Sequence, residues 1–400
     1  MRNELPYMPN TVFSPEQYLP GNEIEIIRSG EPFFSNLIDL IDKAEKLLYF
    51  QVYIFEEDNT GNEVAGALKR AGARGVEIYM AVDSYGSKNL SPAFIASLRK
   101  SGVRFRYFSP LPKHFYAFRL GRRLHSKVMV ADGRDALVGG INIADKYRGT
   151  ETEPAWLDFA VRVKGPVCAE LSENCRLIHG RRRSRSKIKI TDANPEESLA
   201  PALAKMALND WWRRKNQISA GYRSAFRNAE SSIFIVASYF LPSRGVRSAL
   251  KKASRRGVKI TVLLPGKLDL PMAKRATRFL YNWLWRNKVD IYEWDESVLH
   301  GKIAVVDNKW STVGSYNINH LSEYSSIEVN VEVLDPAFAA SIHQMLSGLV
   351  QFCRLVPEER ARDRSLIDRF LNWASYLLGR WMMLFLFFLI AREHRYKTMQ

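Results

Sequence analysis

A polar pattern of five residues occurs twice in the sequence, and both copies have the same internal spacing. It reads H-x-K, four residues, D, six residues, and then G-[SG]-x-N. The first copy comprises His125, Lys127, Asp132, Gly140 and Asn142, and the second comprises His300, Lys302, Asp307, Ser315 and Asn317. None of the other five histidines has a lysine two positions later. The repeat therefore indicates an internal duplication that keeps the same chemistry in both copies.

Matched segments surround the two motifs, so the duplication covers most of the chain. ALKRAGARGVEIYMAVD, which begins at Ala67, and ALKKASRRGVKITVLLP, which begins at Ala249, are identical at eight of 17 positions. Each has helical periodicity, then a glycine typical of a helix end (Gly75 or Gly257), then an apolar strand. This alternation predicts an α/β fold of two duplicated halves with mostly parallel sheets, which meet at one shared active site.

Composition divides the chain into four parts. We predict a first half over 1–180, a basic linker over 181–214, a second half over 215–360 and an apolar C-terminal segment over 361–400. The first half has an additional loop, SPLPKHFYAFRLGRR from Ser109, which is rich in basic and aromatic residues. Because this loop leads directly to His125, it is either a contact for an anionic substrate or an ordinary surface excursion.

The C-terminal segment is strongly apolar, but its length argues against a membrane-spanning helix. Only 11 residues after Arg380 are continuously apolar, whereas a spanning helix needs about 20. A longer helix would place Arg380 near the bilayer centre, at a cost of about 3 kcal/mol or more. We expect a helix that lies in the interface or dips into one leaflet, with Trp373, Tyr376 and Trp381 at headgroup depth. The alternative is a helix packed on the protein's own core.

Charge and cysteine content restrict the partners and the compartment. The formal net charge of +17 favours an anionic partner, either nucleic acid or the headgroups of an acidic membrane. Cys168, Cys175 and Cys353 lack the spacing of a zinc site or disulfide framework, and the N-terminus does not resemble a signal peptide. We therefore expect a reducing, cytoplasmic location.

The residue types of the motif suit chemistry on a phosphodiester. Strand residues i and i+2 point to the same side, so each histidine projects together with its lysine. One unprotonated histidine can attack phosphorus and form a phosphohistidine, while the other, protonated, gives its proton to the departing alkoxide. The two lysines, with Asn142 and Asn317, would stabilise charge on the non-bridging oxygens, so we expect no metal and no cofactor. Small residues at Gly140 and Ser315 let backbone and ligand approach.

Carboxylates complete the predicted site. A catalytic histidine needs a partner on its far nitrogen to orient the ring. Asp158 and Glu328 stand at equivalent places in the repeat, and we expect them to fill this role. Asp132 and Asp307 end the motif strands, where they serve either the catalytic site or the formation of a turn.

The duplicated pattern resembles the phospholipase D superfamily over residues 25–350, and within it a bacterial cardiolipin synthase of the phospholipase D type. The phrases VGGINIADKY, SYFLPS and SSIEVNVEV support this resemblance, which is to the short form without N-terminal transmembrane helices. It implies transfer of a phosphatidyl group to phosphatidylglycerol, with phosphatidylglycerol or phosphatidylethanolamine as donor, on the cytoplasmic side of the cell membrane. The resemblance favours His125 as the nucleophile.

Three other functions stay open from the sequence. A nuclease would use the same pocket and the positive charge, although the apolar C-terminus makes nucleic acid an unlikely partner. A hydrolytic phospholipase D would release phosphatidic acid. A non-catalytic membrane tether would have no use for two intact motifs.

Overall fold

The computed structural model describes residues 12–110, 122–180, 202–267, 271–358, 365–379 and 381. Parts of three predicted segments lie outside these residues. They are the centre of the additional loop at 111–121, the linker at 181–201, and the C-terminal segment at 361–364, 380 and 382–400.

In the first half, helices and strands alternate up to the first motif. Its strands are β1 (Leu19–Arg28), β2 (Leu47–Val52), β3 (Glu77–Asp83), β4 (Arg104–Phe108), β5 (Arg123–Leu124), β6 (Lys127–Ala131), β7 (Asp135–Gly139) and β8 (Phe159–Lys164). Its helices are α1 (Glu31–Lys43), α2 (Asn59–Ala73), α3 (Pro92–Lys100), α4 (Asp145–Arg148) and α5 (Val167–His179).

The second half repeats this order of elements. Its strands are β9 (Ala202–Asp210), β10 (Lys215–Asn216), β11 (Ser232–Ala237), β12 (Lys259–Lys267), β13 (Val289–Val298), β14 (Lys302–Val306), β15 (Trp310–Gly314), β16 (Ser326–Leu334) and β17 (Cys353–Leu355). Its helices are α6 (Gln217–Asn228), α7 (Arg244–Arg255), α8 (Pro271–Phe279), α9 (Tyr281–Arg286), α10 (His320–Tyr324) and α11 (Pro336–Val350). A further helix covers 366–379.

The two sheets have equivalent strand orders, which confirms the duplicated α/β fold. The first runs β1-β8-β7-β6-β2-β3-β4. The second runs β9-β16-β15-β14-β11-β12-β13-β17. Because β1 also pairs with β9, the two sheets are joined at their edges.

The expectation of mostly parallel sheets is wrong. Within each sheet, the described strands pair in parallel only at β2–β3–β4 and at β11–β12–β13, where helices supply the crossovers. One further parallel pair, β5 with β16, joins the two halves. The motif strands form antiparallel hairpins instead, β6 with β7 and β14 with β15. Three residues connect the strands of each hairpin, and parallel strands need a much longer crossover.

One predicted domain boundary also moves. Residues 202–210, which fall within the predicted linker, form β9, and this strand pairs with β1 and with residues 328–334 of β16. Alternating burial of Ala202 and Ala204 with more exposed neighbours explains why this segment becomes a strand. The second sheet therefore begins at Ala202.

Three apolar clusters form the core. The outer clusters pack α1, α2 and α3 on the first sheet, and α6, α7 and α9 on the second. The inner cluster combines α5 and α11 with side chains from both sheets, such as Phe159 and Ile303. Since this cluster is continuous across the halves, it fixes the two motifs relative to each other. Among the described residues, no helix has the length and apolar character that crossing a membrane requires.

Candidate active site

Each motif lysine is the first residue of its strand, β6 or β14, and each motif histidine stands two residues before that lysine. Alternation along the strand brings histidine and lysine to the same side, as the sequence predicts. Both lysines are almost fully buried, with 1% of Lys127 and 2% of Lys302 exposed. A buried ammonium group is costly unless it meets an anion, and the buried Asp158, 3.6 Å from Nζ of Lys302, supplies one.

Each histidine is oriented by a carboxylate of the other half. The Nδ1 atom of His125 lies 2.9 Å from Oε2 of Glu328, and the Nδ1 atom of His300 lies 2.6 Å from Oδ2 of Asp158. With Nδ1–H donating to the carboxylate, Nε2 of the neutral ring carries the free lone pair. The two carboxylates are buried completely. Neither half could therefore build its histidine site alone.

Backbone pairing between the halves produces this exchange. Strand β5 adds to β16 in parallel, and the amide of His125 donates to the carbonyl of Ile327 at 3.1 Å. In the symmetric place, Leu157 pairs with Leu299, and the amide of His300 donates to the carbonyl of Leu157 at 2.7 Å. His125 is thus hydrogen-bonded to the residue before Glu328, and His300 to the residue before Asp158.

The lysines close the site around the histidines. Nζ of Lys127 donates to the carbonyl oxygen of His125 at 2.5 Å and lies 5.2 Å from the ring centre of Tyr53. Nζ of Lys302 donates to the carbonyl of His300, and it lies 2.9 Å from Nδ1 of that ring and 3.6 Å from Asp158. Both ammonium groups are therefore held beside the imidazoles, where a phosphate would meet them.

Burial keeps the imidazoles neutral before substrate arrives. Burial lowers the pKa of His300 to about 3, with the charge of Lys302 adding to the effect and Asp158 opposing it. The pKa of His125 is also lowered by burial, against the opposing effect of Glu328. Burial lowers the pKa of Lys127 to about 7. A phosphodiester anion in the site would raise all three pKa values, because it stabilises the charged forms.

Comparison with known proteins agrees with this geometry. The family model "Cardiolipin synthase, PLD-like domain" matches residues 37–164 and 222–350, once in each half. Cardiolipin synthase B of Salmonella typhi is 33% identical over 350 residues, which cover 86% of this chain and 84% of that protein. Cardiolipin synthase A of Pseudomonas fluorescens is 30% identical over 86% of this chain and 72% of that protein. The chain belongs to this family.

Solved structures support the fold of this cardiolipin synthase family member. Phosphatidylserine synthase of Haemophilus influenzae superposes with a TM-score of 0.68 over 92% of this chain and 94% of that chain. Polyphosphate kinase of Porphyromonas gingivalis has a TM-score of 0.58 over 88% of this chain and 53% of that chain. Their sequence identities of 14% and 16% make this a likeness of fold. Among the described residues, no group of three or more His, Cys, Asp or Glu is placed to hold a metal ion.

The motif aspartates lie away from the histidines, which corrects their prediction as catalytic residues. Asp132 accepts hydrogen bonds from the amides of residues 45, 46 and 47, at 2.8 to 2.9 Å. Asp307 accepts from the amides of residues 230, 231 and 232, at 2.7 to 2.9 Å. Each stands at the far end of its motif strand, about 16 Å from the lysine at 3.3 Å per residue. They fasten the hairpin turn to the start of β2 or β11.

The small motif residues and the asparagines have different surroundings in the two halves. Ser315 donates its hydroxyl to Glu328 at 2.5 Å, whereas a Cβ on Gly140 would lie 2.4 Å from Asp158. Asn142 uses both ends of its amide within the protein, accepting from the amide of residue 54 and donating to the hydroxyl of Tyr147. The side-chain oxygen of Asn317 accepts from the hydroxyl of residue 238 at 2.7 Å. Asn142 therefore positions Tyr147.

Aromatic rings around the histidines were missed from the sequence. The ring of Tyr53 lies 5.1 Å from that of His125, while Tyr147 and Trp156 lie 5.4 and 6.1 Å from His300. The sequence does contain a signal for this difference between the halves, namely an insertion of five residues in the first half. Asp158 follows Asn142 by 16 residues, whereas Glu328 follows Asn317 by 11. The extra residues carry Trp156 to the site.

The described end of the additional loop is anchored to the protein. Arg122 pairs with Asp210 at 2.5 Å, and the buried Arg123 pairs with the fully buried Asp83, which also accepts from the amide of Leu124 at 2.9 Å. These two arginines hold the backbone that leads into His125, so they are occupied by structural contacts. The remainder of the loop, 111–121, lies outside the described residues.

Proposed function

We propose that this protein is a cardiolipin synthase, a phosphatidyltransferase that joins two phospholipids at the paired histidines. The observation that carries this proposal is the crossed arrangement of two histidine–lysine pairs with buried carboxylates, in a chain that belongs to the cardiolipin synthase family. The donor is a phospholipid, preferably phosphatidylglycerol with phosphatidylethanolamine as the alternative. The acceptor is the headgroup hydroxyl of phosphatidylglycerol.

In the first step, Nε2 of His125 attacks the phosphorus of the donor while its Nδ1–H donates to Glu328. The N–P bond forms as the bond from phosphorus to the headgroup oxygen breaks. His300, which is protonated in the complex with the anionic substrate, gives its Nε2 proton to the departing oxygen. A phosphatidylglycerol donor therefore releases glycerol and leaves a phosphatidyl group on His125.

In the second step, a hydroxyl of the acceptor headgroup replaces glycerol. His300 removes the hydroxyl proton as the oxygen attacks phosphorus, and the N–P bond breaks. Cardiolipin leaves and His125 is neutral again. The proton that His300 took from the acceptor returns to solvent as the anionic product departs, and His300 takes up a proton again when the next anionic donor binds. Resemblance favours His125 as the nucleophile, and its side chain is 15% exposed against 9% for His300.

Charge on the phosphorus oxygens is stabilised by cations of the protein. Lys127 and Lys302 supply two ammonium groups, and the amide nitrogen of Asn317 supplies a donor. Because these groups are buried, their interaction with the transition state is stronger than it would be in water. Asp158, Glu328 and Ser315 act through the histidines and are positioning residues.

We place this reaction at an anionic membrane surface, on the cytoplasmic side of the cell membrane. The net charge of +17 and the apolar C-terminal segment over 361–400 support this location. Nucleic acid is not the expected substrate, because an apolar segment of this kind is useful to a lipid enzyme and not to a nuclease.

Product analysis with phosphatidylglycerol vesicles tests the proposal. Purified protein should form cardiolipin and glycerol in equal amounts, with or without EDTA. His125→Ala and His300→Ala should lose both products, whereas His343→Ala, a change on α11 away from the site, should keep them.

Two results would overturn the synthase activity. Phosphatidic acid as the main product would mean that water resolves the intermediate and that the protein is a hydrolase. Cleavage of single-stranded DNA without any turnover of phosphatidylglycerol or phosphatidylethanolamine would mean that it is a nuclease.

A further inference from the structure

The helix over 366–379 turns its apolar side chains outward. Six of its large apolar residues, together with Trp381, are between 38% and 79% exposed. They are Leu366, Ile367, Phe370, Leu371, Trp373 and Leu378. An amphipathic helix on a soluble protein shows the opposite arrangement, with its apolar side on the core. The described part of this helix is therefore not buried in the protein's own core.

Helix geometry places these residues on one continuous face. At 3.6 residues per turn, the six apolar positions from 366 to 378 fall within an arc of about 160°. Asn372, which is only 7% exposed, lies opposite the centre of that arc and faces the protein. A contiguous exposed apolar face of this kind marks an interaction site.

Contacts with α8 hold the helix in this orientation. The rings of Phe279 and Tyr376 stack with centroids 4.7 Å apart, and Arg275 pairs with Asp368 at 3.5 Å. Neither contact uses the outward face. The exposed apolar side chains are therefore presented by a helix that is already docked.

A cleft of about 590 Å³ lies between this helix and α8–α9. Its lining combines aromatic rings with two guanidinium groups, and includes Arg278, Phe279, Trp285, Arg369, Phe370 and Trp373. Glu293, which is buried, lies 3.8 Å from Nε of Arg278 and holds that side chain at the cleft wall. Arginine suits phosphate, and aromatic rings at an apolar boundary are typical of lipid interfaces.

We propose that the helix over 366–379 and the α8–α9 surface together form a docking face for an anionic bilayer, whose cleft takes one phospholipid. Arg278 and Arg369 bind the phosphate, and the rings of Phe370 and Trp373 contact the upper acyl chains. The cleft volume suits a headgroup with part of its chains. This inference rests on the proposed function, since it supplies the lipid enzyme with a lipid site built from residues other than the catalytic ones.

A bilayer fits this face better than a second copy of the chain. A second copy would bring the same arginines and a further net charge of +17 to the contact, whereas anionic headgroups complement both. The outward apolar face would enter the acyl boundary, and Trp373 and Trp381 would lie at headgroup depth.

Vesicle binding tests the docking face with changes confined to exposed residues. The triple variant Ile367→Ser, Leu371→Ser, Leu378→Ser, which changes exposed residues outside the cleft lining, should lose sedimentation with vesicles of phosphatidylglycerol and phosphatidylcholine by about tenfold or more. Phe352→Ser, an exposed aromatic residue elsewhere, is the matched control and should bind as wild type. Arg369→Glu should lose about tenfold in binding to these vesicles and little to pure phosphatidylcholine. Its control, Arg255→Glu on α7, should keep the preference.

A soluble substrate separates this inference from the proposed function. With short-chain phosphatidylglycerol below its critical micelle concentration, the triple variant should form cardiolipin at the wild-type rate. Unchanged vesicle binding by the triple variant would overturn the docking face. So would a wild-type protein that is a dimer and a triple variant that is a monomer with unchanged vesicle binding, because the face would then be a contact between two copies. If the wild-type protein makes cardiolipin neither from vesicles nor from the short-chain lipid, the proposed function is at fault, and vesicle binding is then judged on its own.

Discussion

The two halves build equivalent histidine sites with different side chains. In the second half, Ser315 donates to Glu328, and this longer carboxylate reaches the first histidine at 2.9 Å. In the first half, Gly140 leaves open the space that the shorter Asp158 occupies, and that carboxylate reaches the second histidine at 2.6 Å. Within each half, the size of the small residue corresponds to the length of the carboxylate beside it: serine with glutamate, and glycine with aspartate.

The surroundings of the two histidines differ as well. His125 has Tyr53 beside it and a 15% exposed side chain, whereas His300 is enclosed by Tyr147 and Trp156 and is 9% exposed. An accessible imidazole suits attack on phosphorus, and an enclosed one suits proton transfer away from water. We infer that duplication has been followed by a division of labour between the halves.

Substitution of the carboxylates that orient the histidines should have the largest effect on kcat, and its rescue should distinguish the halves. Asp158→Asn and Glu328→Gln should each lower kcat by about 1,000-fold, because the amide no longer holds its histidine in the reactive tautomer. A donor with a nitrophenol leaving group should restore nitrophenol release in Asp158→Asn and not in Glu328→Gln, since only the first variant impairs leaving-group protonation.

Glu332→Gln is the matched control for these two variants. Glu332 is a buried glutamate on the same strand as Glu328, and it pairs with Lys205 at 3.1 Å rather than with a histidine. It should keep kcat per folded molecule. Equal rescue of both carboxylate variants by the nitrophenol donor would contradict unequal roles for the halves.

Exchanging the small residues should have an intermediate effect, and an unequal one. Gly140→Ser forces Asp158 away from His300, so we expect kcat to fall by about 100-fold. Ser315→Gly removes one hydrogen bond, worth about 1 kcal/mol, and should lower kcat by less than about tenfold. Steady-state kinetics on both variants checks this order, and a larger loss in Ser315→Gly would refute the explanation of the Gly140 position.

The pH dependence should report the charge of Lys127. Burial lowers the pKa of this lysine to about 7, so its ammonium charge is lost as the pH rises through that value. In the free enzyme, kcat/KM should then fall by about tenfold for each pH unit above the pKa. Residual activity of Lys127→Arg should lack this alkaline decline, because guanidinium stays charged. A wild-type profile that stays flat to high pH would show that another group carries the charge.

The motif aspartates should affect stability and leave catalysis intact, equally in both halves. Asp132→Ala and Asp307→Ala each remove an acceptor for three backbone amides, so we expect the free energy of unfolding to fall by about 2 to 4 kcal/mol. Denaturant titration measures this loss, and kcat per folded molecule should change little. A large fall in kcat without loss of stability would show that these aspartates take part in catalysis.

Sequence reasoning found the duplication, the histidine–lysine pairs and the orienting carboxylates, because spacing in a repeat reports equivalent positions directly. It did not find that the carboxylates are exchanged, since this depends on β5 pairing with β16 across the halves, a contact with no local signature. It misjudged the sheets because it weighed helix–strand alternation above the three-residue connections of the motif hairpins. The aromatic enclosure of His300 was missed because Trp156 lies in an insertion with no counterpart in the second half.

Trapping the covalent intermediate tests the central claim most directly. The donor would be a phosphatidyl ester of nitrophenol, and the protein would be His300→Ala, which lacks the proton donor but not the nucleophile. We predict a burst of one nitrophenol per protein and a phosphatidyl group on the peptide that contains His125, with no burst from His125→Ala. A burst from His125→Ala, with the phosphatidyl group on His300, would contradict the division of labour between the two halves.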